Sequence, residues 1–455
     1  MQLIIILAII SAISISEAAP AEPVANGGWR LLQALVAMAI APLFAMAASN
    51  AIVRSLRGTT ETRSETMRWF GRLRVVHALI WLLIGAMILQ QVGWVRMVRF
   101  NWQLGELILI DELLILLPLL ASLLLSWAAF YRVARAVDSD AQPTLGGYLA
   151  LQARHYLALV MTPVLLVLTA HDAVRLASPA ISPEAAACLL LLPVIGLILF
   201  FPLVVRMLWR TRPMREGPLF RQLTDFARSA GFHSSRLFVW QTGGSIVNAA
   251  VAGFVRPWRY VFFSDALLER FDADEIEVVL AHEIGHVRRN HLAWRMLVIL
   301  VPVVAWCVAG RAFPEIPAAA TKLAAGLGID SGVLATIAGP VFLLLYALTL
   351  FAAHSRLLEH DADLYAARLL TMHEPETAGC DRVARVLDKL ARVGGIGHHT
   401  RSWLHPTIAD RMAFLQTATE QPTAARRFEG RLVAGHRCLM ILAVILLTLM
   451  AVLPE

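Results

Sequence analysis

Apolar runs long enough to cross a bilayer recur along the chain, at residues 31–51, 75–93, 107–131, 156–171, 187–208, 292–312, 333–353 and 438–453. Each approaches the ~20 apolar residues that a spanning helix requires. An earlier run, "MQLIIILAIISAISI", reads in two ways. Small residues follow it at "SEAAPAEP", as after a signal peptide, but no Lys or Arg precedes it, which favours a retained first helix.

The pattern changes between residues 209 and 291. "RLFVWQT", "NAAVAGFV" and "RYVFFS" are short β-branched or aromatic runs separated by Gly, Asn and Pro, and they predict a small antiparallel sheet. Helical signals follow. Ser264 caps "DALLERF", and Asp272 with Glu275 forms a D-x-x-E capping signal for a helix that is expected to continue into the 292–312 run.

Composition agrees with a membrane protein: 58% of the 455 residues are hydrophobic, 16% are charged, and the mean hydropathy is +0.65. The net charge of +7 could suggest nucleic acid, but the arginines collect beside the apolar runs instead of forming a basic stripe, so no nucleic-acid partner is expected. Topology accounts for them better. Arg54, Arg57, Arg63, Arg68, Arg72 and Arg74 follow the first span, whereas only Arg96 and Arg99 occupy the next connection. Arg132, Arg135 and Arg154 come next, then the single Arg175, then Arg206, Arg210, Arg212 and Arg215. This alternation places residues 209–291 in the cytoplasm by the positive-inside rule. Cys188, Cys307, Cys380 and Cys438 show no CxxC spacing and read as buried thiols.

Candidate chemistry begins at His282-Glu283-Ile284-Gly285-His286. Residues four apart share a helix face, so both imidazoles can reach one ion, and the adjacent Glu283 is placed to take a proton from water polarised by it. A catalytic zinc needs a third protein ligand. Glu359, His360, Asp361 and Asp363 crowd one helix in "SRLLEHDADLYAARLL" and are its best source.

At this point the chain resembles the M48 family of integral-membrane metallopeptidases, which includes Ste24 and HtpX-type proteases. HExxH is followed by Ser355-Arg356-Leu357-Leu358-Glu359-His360-Asp361-Ala362-Asp363, matching SRxxExxAD. "NAAVAGFVRPWRYVFFSDALLE" resembles the stretch before HExxH, and "HPTIADRMAFL" resembles an HPxxxxR segment. The resemblance covers about residues 209–415 and implies one zinc ion per chain, held by His282, His286 and Glu359, with Glu283 as general base. It further implies that Asn248 and His405 stabilise the oxyanion, where the residues alone also allow Asn248 to satisfy a turn and His405 to be a loop histidine, that Asp363 accepts a hydrogen bond from a ligand histidine, and that Arg411 organises the site.

Other polar residues carry plainer readings. His360 points about 100° away from Glu359 and reads as an exposed neighbour. His291, five residues after His286, lies off the ligand face and reads as structural. His398 and His399 sit in an expected flexible loop. Asp111 and Glu112 receive no function, since a helix starting at residue 113 would leave them at the interface.

The expected fold is mainly α: a polytopic helical membrane protein with a small α+β, gluzincin-like zinc peptidase domain at the membrane edge. Residues 1–208 form the multi-span region, 209–430 the peptidase domain with its membrane hairpin, and 431–455 a C-terminal membrane helix. The expected function is a membrane-embedded zinc endopeptidase acting on membrane-associated or misfolded proteins and peptides, with its site on the cytoplasmic side. The alternative is a proteolytically silent metal-binding sensor or scaffold. The intact HExxH motif and the short outward connections argue against it.

Overall fold

The computed structural model describes residues 2–56, 60–104, 109–137, 144–177, 181–232, 236–244, 246–313, 341–371, 376–395 and 397–453, together with 315, 319, 322 and 326. Eight of the described helices are long and apolar enough to cross a membrane, and they correspond to the eight runs read from the sequence. Residues 333–340 of the expected 333–353 span lie outside the described residues. The chain is a multi-pass integral membrane protein. It divides into two compact units, the first ending at Ile198 and the second beginning at Leu199.

The first unit is helical: α1 (Gln2–Ala18), α2 (Gly27–Ser55), α3 (Thr60–Gln90), α4 (Ile110–Val137) and α5 (Leu145–Leu176). On α2, Ala34, Ala37, Ala41, Ala45 and Ala48 are buried at three- and four-residue spacing. Such a small-residue seam lets neighbouring backbones approach closely, which is how helices associate where lipid removes the hydrophobic drive. Trp127 and Trp81 fill the space beside it, and the Trp81 indole N–H donates to the Leu119 carbonyl at 3.0 Å. Helix α4 begins at Ile110, earlier than expected, and Asp111 is buried, not interfacial. Its carboxylate survives there because Arg99 donates to Oδ2 at 3.2 Å.

The second unit follows α6 (Pro183–Leu208), which crosses the boundary. It contains strands β1 (Thr211–Pro213), β2 (Leu237–Trp240), β3 (Ala249–Ala252) and β4 (Tyr260–Ser264) in the order β1-β2-β4-β3. The sheet is mixed, not antiparallel throughout. β3 and β4 form the expected hairpin, but β2 pairs parallel to β4, because the chain passes through β3 before returning. β4 is therefore central, with Tyr260, Val261, Phe262, Phe263 and Ser264 all at 0% exposure, and β3 is an edge.

Among its described residues the unit also contains helices α7 (Pro218–Ser229), α8 (Asp265–Arg270), α9 (Ala273–Arg288), α10 (His291–Ala312), α11 (Ala352–Leu370), α12 (Glu376–Val393), α13 (Ile408–Glu420) and α14 (Pro422–Val452). Leu223, Val261, Phe263, Ile276, Leu280 and Ile284 share one core with Ala366, Val383 and Leu387. Both capping signals form. Ser264 accepts from Leu267 N–H, and Asp272 and Glu275 make a reciprocal capping box.

The continuity expected between the motif helix and the following span is broken. α9 ends at Arg288, and Asn290 adopts φ 54°, a left-handed conformation that Asn tolerates better than most residues, before α10 starts at His291. The thiols also depart from expectation. Only Cys380 is buried, whereas Cys188, Cys307 and Cys438 are exposed on helices apolar enough to face lipid, an environment that a small apolar thiol suits as well as a core.

Candidate metal centre

Helix α9 buries Ile276, Leu280, Ala281 and Ile284 on one side, which turns His282 and His286 toward α11. The two helices cross closely at Gly285. A Cβ there would lie 3.1 Å from the Ala362 carbonyl oxygen and 3.3 Å from Tyr365 Cβ. Glycine in the middle of the motif thus admits the backbone of α11, and with it Glu359.

The result is a compact cluster. His282 Nε2 and His286 Nε2 are 3.2 Å apart, His282 Nε2 lies 3.7 Å from Glu359 Oε2, and His286 Nε2 lies 3.5 Å from Glu359 Oε1. A tetrahedral ion with bonds of about 2.0–2.2 Å separates its ligand atoms by about 3.3–3.6 Å, so the donor set and its spacing fit zinc. These three residues could hold a metal ion.

The remaining expected site residues take varied places. Asp363, fully buried on α11, lies 2.9 Å from His282 Nδ1, and the Arg411 guanidinium grips both of its oxygens, at 2.8 and 2.6 Å. Arg411 comes from α13, whose first turn is fixed by a capping box between Thr407 and Asp410. His405 Nδ1 sits 3.0 Å from Glu359 Oε2 and is about half exposed. Asn248 is exposed at the start of β3, where its backbone is pinned: its N–H donates to Ser264 Oγ and its carbonyl accepts from Ser264 N–H. Glu283 Oε2 accepts the Val251 N–H of the edge strand at 3.1 Å.

Burial governs the charges. It pushes the Glu283 carboxyl up to about 7, a rise that His282 opposes and Glu359 reinforces. It also disfavours the His282 imidazolium, but hydrogen bonds to Asp363 and Glu359 outweigh it and lift that group to about 9. Burial and the neighbouring His282 hold His286 well below the usual imidazole range. A neutral His286 is the form that can ligate.

Several contacts were not legible beforehand. Arg295 of α10 reaches Glu359 Oε1 at 3.0 Å. His291 is off the ligand face as expected, yet its Nδ1 lies 2.8 Å from His286 Nδ1 and its Nε2 lies 2.9 Å from Asp361 Oδ2. The spacing of five hides this contact, because the turn at Asn290 re-aims His291. His360 is not exposed but half buried against Phe414, with ring centroids 4.4 Å apart. It takes no part in the cluster. His398 is tied down rather than loose, through Asp388 at 2.8 Å and a carbonyl that accepts from Ala409 N–H.

Comparison with known proteins points the same way. Residues 213–419 match the model of peptidase family M48. A CAAX prenyl protease 1 homolog of Oryza sativa is 31% identical over 102 residues, covering 22% of this chain and 24% of that protein. A protease HtpX homolog of Aeropyrum pernix is 28% identical over 112 residues, covering 24% and 34% respectively. The chain thus spans about a quarter to a third of the length of these relatives. The crystal structure of S. mikatae Ste24p is similar at a TM-score of 0.49 and 16% identity, over 83% of this chain and 99% of that one. The His282, His286 and Glu359 cluster lies inside the 213–419 stretch, so the part of the chain that carries the candidate metal centre is the part similar to peptidase family M48.

Proposed function

We propose that the protein is a membrane-embedded zinc-dependent endopeptidase, with His282, His286 and Glu359 as ligands and Glu283 as general base. The observation that carries this reading is the meeting of three elements: the ligand cluster, a carboxylate beside it, and the edge strand of the described sheet, to which that carboxylate is tethered through Val251.

Zinc, when bound, supplies Lewis-acid polarisation of a carbonyl and of the attacking water. The chain's own residues do the rest. In the β3–β4 register, Asn248 turns its backbone toward β4, so Ala249 and Val251 turn theirs outward. An extended peptide would add to that edge as a further strand, which selects main chain over side chain. Glu283 takes the proton from the attacking water at its carboxylate and returns it to the leaving amine. A carboxyl poised near neutrality suits both halves of that exchange. His405 and Asn248 donate hydrogen bonds to the oxygen that becomes negative. Asp363, itself held by Arg411, keeps His282 oriented.

The substrates we propose are membrane-associated or misfolded proteins and peptides, because the glutamate ligand lies on a helix within the candidate span Val341–Leu370. Two relatives bear the names CAAX prenyl protease 1 homolog and protease HtpX homolog, which agrees with that class. The alternating arginines support a site on the cytoplasmic side. The test is to trap substrates with Glu283→Gln in native membranes and identify what accumulates relative to wild type. An unchanged set of bound proteins contradicts the proposal. Orientation is tested separately in a background lacking the native cysteines, where a cysteine at Asn101 should label from outside intact cells and one at Thr400 should not.

A further inference from the structure

His282 and His286 face the same cluster, yet their far nitrogens are held differently. Asp363 reaches His282 directly. Asp361 cannot do the same for His286, since two residues of helix turn it about 200° away from Glu359. His291 spans the gap from the other side, brought back by the left-handed turn at Asn290 that separates α9 from α10.

We infer that His291 is a positioning residue for the metal centre, linking the far nitrogen of His286 to the buried carboxylate of Asp361. This rests on the reading of His282, His286 and Glu359 as metal ligands. The direction of the chain follows from what each group can donate. The Asp361 carboxylate, buried with the Arg289 guanidinium 3.7 Å away, accepts only, so His291 carries its proton on Nε2 and donates it over 2.9 Å. A neutral His291 then has a bare Nδ1, which accepts over 2.8 Å from His286, whose own proton must lie on Nδ1. His286 is left with a lone pair on Nε2, the atom that faces His282 and Glu359.

Both ring nitrogens of His291 are thereby committed, and at 1% exposure no water competes for them. The rings of His286 and His291 meet edge to face, at 4.9 Å between centroids and 76° between planes, which also fixes the rotation of His286. One helix, α11, therefore supplies the carboxylate ligand, the direct support of one histidine and, through His291, the relayed support of the other.

The test uses the full-length protein in detergent, with zinc affinity measured by chelator competition, melting temperature measured with and without zinc, and the visible spectrum of the cobalt-substituted form. His291→Leu fills the space but breaks the relay. It should weaken zinc binding about 10–100-fold and alter the cobalt bands. His291→Gln offers an oxygen to His286 and an N–H to Asp361, and should restore affinity to within about 3-fold of wild type and return the cobalt spectrum toward it. Should His291→Leu prove unfolded without zinc, the glutamine variant decides by itself. A folded His291→Gln with zinc affinity lowered 10-fold or more overturns the inference, as does wild-type affinity in His291→Leu. Wild-type protein that takes up no zinc overturns the metal reading, and the inference with it.

Discussion

Among the described residues, two trios of side chains bring ligand-capable atoms within 4.8 Å of one another: Asp111, Glu112 and Asp172 in the first unit, and His282, His286 and Glu359 in the second. Each draws at least one carboxylate from a candidate membrane span, yet they differ in what holds them. In the first trio all donors are oxygens, and arginines and one backbone amide already engage its two aspartates. Arg99 donates to Asp111, Arg175 lies 3.6 Å from Asp172, and Leu109 N–H donates to Asp172 at 2.9 Å. In the second, two nitrogens and a carboxylate converge, and the supporting groups grip the opposite sides of the rings. Proximity of ligand types is common to both. Support that points the donor atoms at one place distinguishes the second, and this is what a metal site needs.

The largest expected effect tests that distinction directly. Replacing His282, His286 or Glu359 by Ala should abolish zinc binding and proteolysis together, whereas Asp111→Asn should leave zinc stoichiometry unchanged and lower only the melting temperature. Metal analysis of the purified variants decides the matter, and a loss of zinc in Asp111→Asn would erase the contrast. Next in size, Glu283→Gln should keep its zinc while the rate falls by about 10²–10⁴, because one group serves as base and then as acid. Near-normal turnover in a zinc-loaded variant would remove Glu283 from the chemistry.

The close crossing of α9 and α11 predicts a smaller, graded response. Gly285→Ala places a methyl 3.1 Å from the Ala362 carbonyl, so α11 must yield by a few tenths of an ångström and zinc affinity should fall several-fold. Gly285→Leu should spread the helices and abolish binding. Equal affinities across the three proteins would show that the approach does not matter. Smallest of all, Asn290→Gly should be almost silent, because glycine adopts φ 54° freely, while Asn290→Val should cost about 1–2 kcal/mol of stability and loosen the placement of His291. Denaturation midpoints report this difference, and identical midpoints would mean that the turn is not constrained.

Local properties were legible in the linear chain because they depend on neighbours in sequence. Hydropathy marked every described span, the capping residues of α8 and α9 were visible as Ser264 and as Asp272 with Glu275, and the i, i+4 spacing put His282 and His286 on one face. Composition and arginine placement indicated a membrane protein with alternating connections. What tertiary structure decided was everything that depends on which atoms meet across elements. The parallel pairing of β2 with β4, the burial of Asp111 against Arg99, the reach of Arg295 to Glu359 and the link from His286 through His291 to Asp361 join residues between 12 and 70 positions apart or turn on a single left-handed residue. Periodicity cannot register such a turn, since one residue at φ 54° discards the angular phase on which helical spacing depends. The sequence by itself thus determined which residue types could build a metal centre and on which helices they lie. Only the folded chain decided which nitrogen of each histidine is turned toward the cluster and which is held from behind.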